Sequence, residues 1–192
     1  MNQTELNKIL DLHRKWLHGD PCGVKADFRN SDLRYSDLRY SDLRYSDLRH
    51  SDLRYSDLSN ANLYEAELSG AKLDGVIYDE NTAFFALQCP EEGSFVGWKK
   101  CPDDTIVKLL IPEDAKRSSA TTRKCRCDKA RVLEIWDENG EPIQEVRSSR
   151  NPNFVYRVGE TVSVPDFDED RWHECAPGIH FFITRREAEL YD

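Results

Sequence analysis

The sequence predicts a small-coil solenoid with a helical cap, followed by an α+β domain of mostly antiparallel strands, in a chain of 192 residues. Three observations carry this prediction. A five-residue repeat fills most of the first half, an amphipathic segment precedes it, and the composition changes entirely after Gly75. A chain of this length suits one or two domains. It is 39% hydrophobic and 33% charged, with 8 Phe, 8 Tyr and 4 Trp, too aromatic for a disordered protein. Nothing approaches ~20 consecutive apolar residues, so no membrane-spanning helix is expected. The N-terminus MNQTELNKILDLHRKW has no apolar signal core, which predicts a cytoplasmic protein.

The first element is a helix over residues 4–18, with Thr4 as its N-cap. Leu6, Ile9, Leu10, His13, Trp16 and Leu17 recur at helical spacing, and Gly19-Asp20-Pro21 ends the run. Residues 1–25 form a cap whose apolar stripe covers the open end of the solenoid, since an uncapped solenoid exposes core and unpaired backbone. The alternative use of the stripe is a homo-oligomer contact. His13 and His18 read as helix-surface residues.

From Ser31 the chain runs SDLRY SDLRY SDLRY SDLRH SDLRY SDLSN, then ANLYE AELSG AKLDG. A large apolar residue recurs every five positions, from Phe28 and Leu33 through Leu73 to Tyr78, with a small residue two places before each. This makes eleven units. Period five fits neither a strand nor a helix; as an α-helix the leucines would advance by about 140° per repeat and leave no continuous face. A chain that turns a corner every five residues points the leucine and the small residue inward, and stacked coils satisfy one another's backbone.

The pattern A/S-D/N-L-x-x over residues 26–78 resembles the pentapeptide-repeat family. That resemblance implies a right-handed, four-sided β-helix with four units per coil. Eleven units then give a short rod of about three coils, roughly 13 Å tall. Residues twenty apart should stack: Tyr35 with Tyr55, Arg34 with Arg54, Asp32 with Asp52. Stacked like charges repel, so each Arg column is expected to lean toward an Asp column. Two readings of the outer face stand side by side. One is a self-neutralising solvated surface. The other is an interaction face of Tyr35, Tyr40, Tyr45, Tyr55, Arg34 and Arg54, residue types favoured at binding hot spots.

Charge narrows the partners. The chain carries net −9, which opposes direct nucleic-acid binding through a basic surface. Family members that inhibit gyrase resemble DNA in shape and acidity, which raises a DNA-mimic inhibitor of a topoisomerase or restriction enzyme as one possibility. Residues 26–58, however, hold seven Asp and six Arg, and residues 59–80 sum to −4. A short rod studded with Arg is a poor imitation of a phosphate backbone.

Residues 81–192 read as a separate α+β domain. Strands are expected at 94–99, 105–111, 131–136, 142–147, 154–158, 161–164 and 179–183. Asp137-Glu138-Asn139-Gly140 supplies a hairpin turn between the third and fourth. Thr184 through Glu187 reads as a capping box opening a terminal helix. The segments CPEEGSFVGWKKC, IPEDAKRSSATTRKCR, YRVGETV and ECAPGIHFF resemble an uncharacterised domain that follows pentapeptide repeats in phage and prophage proteins. The resemblance implies a viral or mobile-element origin and carries no activity.

Candidate chemistry in this half is sparse. Cys89, Cys101, Cys125, Cys127 and Cys175 lack the paired C-x2–4-C spacing of structural zinc, so they read as reduced thiols and no metal is expected. Lys116, Arg117, Arg123, Lys124 and Arg126 cluster among hydroxyl residues and can cradle a phosphorylated small molecule or nucleotide; the alternative is an exposed basic loop paired with nearby acids. If the domain is an enzyme, His180 with Glu174 and Arg123 forms the catalytic group. No Walker A or dinucleotide glycine pattern occurs, and no cofactor is expected. The leading reading is a non-catalytic, phage-type module that binds a host protein.

Overall fold

The structure is a computed structural model that describes residues 1–191. The chain divides into two units, Met1–Ala86 with Ala120–Thr122, and Leu87–Ser119 with the chain from Arg123 on.

The first unit opens with helix α1 (Gln3–Leu17). Its N-cap is Asn2 rather than Thr4: the Asn2 side chain accepts from the Glu5 N–H while the Glu5 carboxylate accepts from the Asn2 N–H. A capping box needs Glu or Gln three residues on, and Glu5 stands three beyond Asn2, whereas the shorter Asn7 stands three beyond Thr4. Leu6 and His13 are buried, Ile9, Leu10 and Leu17 half-buried, and Trp16 is exposed. His13 is therefore not a surface residue. Its Nδ1 accepts from the Ala26 N–H at 3.1 Å and its Nε2 meets the Arg44 carbonyl at 2.9 Å, so the ring is the neutral Nε2–H tautomer.

The repeat forms a β-helix. Isolated parallel bridges join Asp27 to Asp47, Asp32 to Asp52, Asp37 to Asp57 and onward to Asp57 with Ile77. Partners stand twenty residues apart, four pentads to a turn of the solenoid. Between coils the bonds alternate, as in Leu33 N–H to Asp52 O at 2.8 Å and Asp52 N–H to Ser31 O at 2.9 Å. Every leucine from Leu33 to Leu68 is buried, with Phe28 at the start. Each corner is a four-residue turn: the Ser36 N–H returns to the Leu33 carbonyl, and Tyr35 between them has φ +58°. That is the backbone of a type II turn, which asks its third residue for positive φ. At Gly70 and Gly75 the fifth residue lacks a side chain, and the rings of His50 and Tyr55 occupy the space a Cβ would take, at 2.4 and 2.6 Å.

The repeat loses its period at the far end. Asn62 bridges Ala83, twenty-one residues away, because Asp79 and Thr82 insert a polar turn: Asn60 donates to both Asp79 carboxylate oxygens, and Thr82 Oγ1 donates to the Leu58 carbonyl. Tyr78, expected inward, is 54% exposed and packs on Phe85 with ring centroids 4.6 Å apart. Residues 120–122 complete this edge. The Glu65 N–H donates to the Thr121 carbonyl at 3.0 Å, and Thr121 Oγ1 donates to the Ala66 carbonyl at 2.7 Å.

Among its described residues the second unit contains nine strands, all in antiparallel pairs. They are β1 (Phe95–Lys100), β2 (Ile106–Ile111), β3 (Arg117–Ser119), β4 (Cys125–Cys127), β5 (Lys129–Trp136), β6 (Glu145–Arg147), β7 (Val155–Arg157), β8 (Thr161–Ser163) and β9 (Ile179–Phe181). One sheet has the order β1-β2-β5-β8, a second β3-β4-β9, and a third pairs β6 with β7. Val107, Leu109, Val132, Ile135, Cys125, Cys127, Ile179 and Phe181 form the shared core. Helix α2 (Arg185–Glu189) begins at the capping box of Thr184 and Glu187.

Two expectations need correction. Strands β3 and β4 fall where the sequence suggests a basic loop. The hairpin expected between 131–136 and 142–147 is a single bridge, Trp136 to Pro142, after which β6 turns away to pair with β7. The bridge is held by the Asp137 N–H on the Glu141 carbonyl and the Ile143 N–H on the Ile135 carbonyl, both at 3.0 Å, and Pro142 is tolerated because neither bond asks it for an N–H.

Candidate functional site

Two places merit description, one in each unit. In the solenoid, Asp32 shows the local chemistry. Its Oδ1 accepts from the Arg34 backbone N–H at 3.2 Å and from Arg34 Nε at 2.8 Å, while Oδ2 accepts from Nη2 at 2.7 Å. The same bidentate clasp recurs at Asp27–Arg29, Asp37–Arg39, Asp42–Arg44, Asp47–Arg49 and Asp52–Arg54. Clasped guanidinium groups hold the Asp27 and Asp37 carboxyls at about 2, below the usual carboxylate range. Arg29, Arg34, Arg39 and Arg49 also near the acid one coil on, Arg49 reaching Glu67 at 3.1 Å and Arg34 reaching Asp52 at 4.0 Å. The pairs are local because the Asp and Arg are two residues apart on one side of a coil, closer than any stacked neighbour.

The tyrosines then stand out on neutral ground. Tyr35, Tyr40 and Tyr55 are 74%, 76% and 53% exposed, and Tyr35 stacks on Tyr55 with centroids 5.2 Å apart. Tyr45 differs from them. It is half-buried, with Trp16 of α1 edge-on at 6.2 Å and Tyr64 at 5.8 Å. Arg34 and Arg54 lie on the same coils as the Tyr35–Tyr55 pair, each held by its Asp.

In the second unit the basic segment does not form one patch. Lys116 pairs with Glu169. The Arg117 guanidinium donates to five carbonyls, those of Pro90, Gly93, Pro112, Glu113 and Ala115. Arg123 binds the Glu187 carboxylate at 2.7 Å and Gln88 at 3.2 Å. Arg126 is 2% exposed and donates to the carbonyls of Asp168, Asp170 and Pro177. Burial lowers its pKa, and the carboxylates of Asp168, Asp170 and Glu174 offset part of that. Alternation in β3 and β4 sends successive side chains to opposite faces, which disperses the charges.

Lys124 is the member that lines a cavity, a space of about 470 Å³ shared with Lys99, Arg150, His180 and Cys175. Lys124 donates toward Cys175 Sγ at 3.6 Å and Tyr191 OH at 3.3 Å and sits 3.6 Å from the Glu174 carboxylate. Burial pulls its pKa down, but Glu174, Cys175 and Tyr191 outweigh it and hold the ammonium above the usual range. His180 Nε2 meets the Glu174 backbone carbonyl at 3.2 Å. Burial, with Lys99 and Lys124 nearby, pushes this imidazole down to about 4, so it is neutral near pH 7. His180 and Glu174 are thus neighbours, while Arg123 is engaged with Glu187 elsewhere. Sequence reasoning missed Lys99, Arg150 and Tyr156; they come from three separated segments, and the available signal was the Lys99-Lys100 pair closing a strand that is apolar up to Trp98.

Among the described residues no group of three His, Cys, Asp or Glu is gathered for a metal ion. All six cysteines are free. Burial pushes Cys101 up to about 11, and a bond to Cys89 together with burial raises Cys125. No helix among the described residues is long and apolar enough to cross a membrane.

Stacked pentads bridged at twenty-residue spacing define a pentapeptide-repeat β-helix, and the model of those repeats, in its eight-copy form, matches residues 24–49 and 41–77. Residues 85–188 match the family of unknown function DUF5758. The chain belongs to that family. A crystal structure of a pentapeptide repeat protein, Rfr23 from the cyanobacterium Cyanothece 51142, aligns at 27% identity with a TM-score of 0.28, covering 29% of this chain and 37% of that one. No curated protein matches the chain. Pentapeptide repeats suggest a protein-interaction module, and the description of the second family assigns it no function.

Proposed function

We propose that the chain is a non-catalytic interaction module of phage or prophage type that binds a host protein in the cytoplasm through Tyr35, Tyr40 and Tyr55. One observation carries this reading: large rings stand exposed on rigid corners while every neighbouring Arg is neutralised by its own Asp. Rings fixed by the backbone lose little freedom on docking, and neutral surroundings cost little to desolvate. Arg34 and Arg54 sit at the rim of this face and supply donors to the partner.

The reading takes the solenoid as right-handed with about three coils, and the chain as a cap (1–25), a repeat (26–80) and a C-terminal domain (81–192). Mimicry of DNA is disfavoured, because six Arg on the rod would meet a basic groove as like charges. The test is affinity capture from bacterial lysate with wild type and with Tyr35, Tyr40 and Tyr55 all changed to Ala. The triple variant should keep the wild-type far-UV spectrum and lose the captured host protein. If it captures the same protein at the same yield, the tyrosine face is not the recognition surface.

A further inference from the structure

We propose that the cavity of the second unit binds a small organic anion, with a carboxylate or phosphate head on Lys99, Lys124 and Arg150 and a flat apolar body among Phe154, Tyr156 and Phe182. This site is independent of the solenoid face.

Size sets the ligand class. A cavity of about 470 Å³ holds a drug-sized molecule, and apolar walls with a few converging polar groups are the usual form of such sites. Charge sets the sign. Among the described residues the lining carries Lys99, Lys100, Lys124 and Arg150 against the single carboxylate of Asp166, within a chain of net −9. A cleft of one sign with apolar walls concentrates counter-ions of the other.

Two of these cations have no carboxylate partner among the described residues. Lys100 is held by Asp104 at 2.9 Å and Lys124 has Glu174 beside it. Lys99 has the His180 carbonyl at 3.4 Å and the Tyr156 ring at 5.9 Å, and among the described residues no carboxylate lies within 4.0 Å of its ammonium or of the Arg150 guanidinium. Burial lowers the Lys99 pKa, with Arg150 and Lys124 among the groups adding to that. An enclosed ammonium without a counter-ion is unfavourable in the empty protein, and an anionic ligand relieves it. Ser148, Ser149 and Asn151 at the same wall add neutral hydrogen-bonding groups for the head. The other cations of the unit contrast with this. Arg117, Arg123 and Arg126 all have their donors occupied by protein oxygens.

Calorimetric titration of the full chain with naphthyl phosphate, naphthoate and inorganic phosphate tests the proposal, with naphthol and naphthamide as uncharged counterparts. At least one naphthyl anion should bind saturably, and about tenfold or more tighter than its counterpart or inorganic phosphate. The tighter head identifies the ligand as a phosphate or a carboxylate. Lys99→Met and Arg150→Gln should each weaken binding about tenfold, and Lys99→Met should melt at or above the wild-type temperature, since it removes a desolvated charge. The proposal fails if neither naphthyl anion binds at up to about 10 mM, where affinity falls below ~3 kcal/mol. It also fails if the uncharged counterparts bind equally, or if Lys99→Met and Arg150→Gln bind as wild type does.

Discussion

His13 shows how much of the solenoid's closure rests on single side chains. Its two ring nitrogens satisfy one backbone donor and one acceptor of the first coil, at Ala26 and Arg44. Burial lowers its pKa from the ordinary value, partly countered by the bond to the Arg44 carbonyl. Because the folded state favours the neutral ring, the stability His13 contributes is complete above the unfolded pKa, about 6.5. It is lost as pH falls through the lower folded value. Replacing His13 with Ala should cost about 2–4 kcal/mol at pH 7.5 by leaving both groups unpartnered in a dry site. His13→Gln can mimic both bonds, so the stability difference between wild type and this variant, followed by urea melts from pH 7.5 to about 4, should narrow as the pH drops. A pH-independent difference would contradict the neutral-ring assignment. The leucines and small residues of the repeat were legible because period five admits so few geometries. The positive φ of the fifth residue was legible too and went unread: Asn30, Asn60, Gly70 and Gly75 occupy that position, and these are the residues that tolerate left-handed backbone. The SDLRY units hide the signal behind tyrosine. His13 itself was obscured because helical spacing marks a face without telling which polar atoms will meet unpaired backbone.

Strand β4 carries the corresponding lesson among the elements. Its residues Cys125, Arg126 and Cys127 are all buried between β3 and β9, yet a guanidinium at its centre argues for a loop when the sequence stands alone. The cation is tolerated because the loop leading to β9 wraps its carbonyls around it, and Phe167 lies 4.9 Å from the guanidinium carbon. Arg126 therefore organises residues 167–177, a stretch otherwise without strands. Arg126→Lys should destabilise the unit by about 2–3 kcal/mol, because one ammonium cannot span three carbonyls. It should also open that loop to limited proteolysis before the β2–β5 sheet unfolds. Unchanged cleavage in this stretch would show that the carbonyl wrap forms without the guanidinium. Long apolar strands such as β2 and β5 were readable from their own composition, whereas three-residue strands depend on neighbours far along the chain.

Across the whole molecule, the two compact units do not follow one another cleanly along the chain, since Ala120–Thr122 belongs to the first while Leu87–Ser119 belongs to the second. The composition change near residue 80 was visible, but this return was not, for three small polar residues carry no periodic signal. Thr121 should be as much a part of the solenoid as any leucine. Thr121→Val removes the hydroxyl bound to the Ala66 carbonyl and should cost about 1–2 kcal/mol. Hydrogen exchange should quicken at Glu65 through Leu68 while the β2 and β5 amides keep their protection. Faster exchange throughout the second unit instead would mean that Thr121 supports the wrong body. The discontinuity also orders events during synthesis. The last coil emerges with a bare edge at Glu65 and Ala66, and its closing segment is not made until the ribosome has passed Thr122. At ~5–20 residues per second the nascent chain spends about 2–7 s between Ala86 and Thr122. For that interval the growing rod offers a ready template to any strand nearby, including another nascent copy of itself. The polar turn of Asp79 and Thr82, already synthesised, closes the neighbouring positions at Leu58 and Asn60, so the exposure is confined to Glu65 and Ala66 until the chain comes back to seal them.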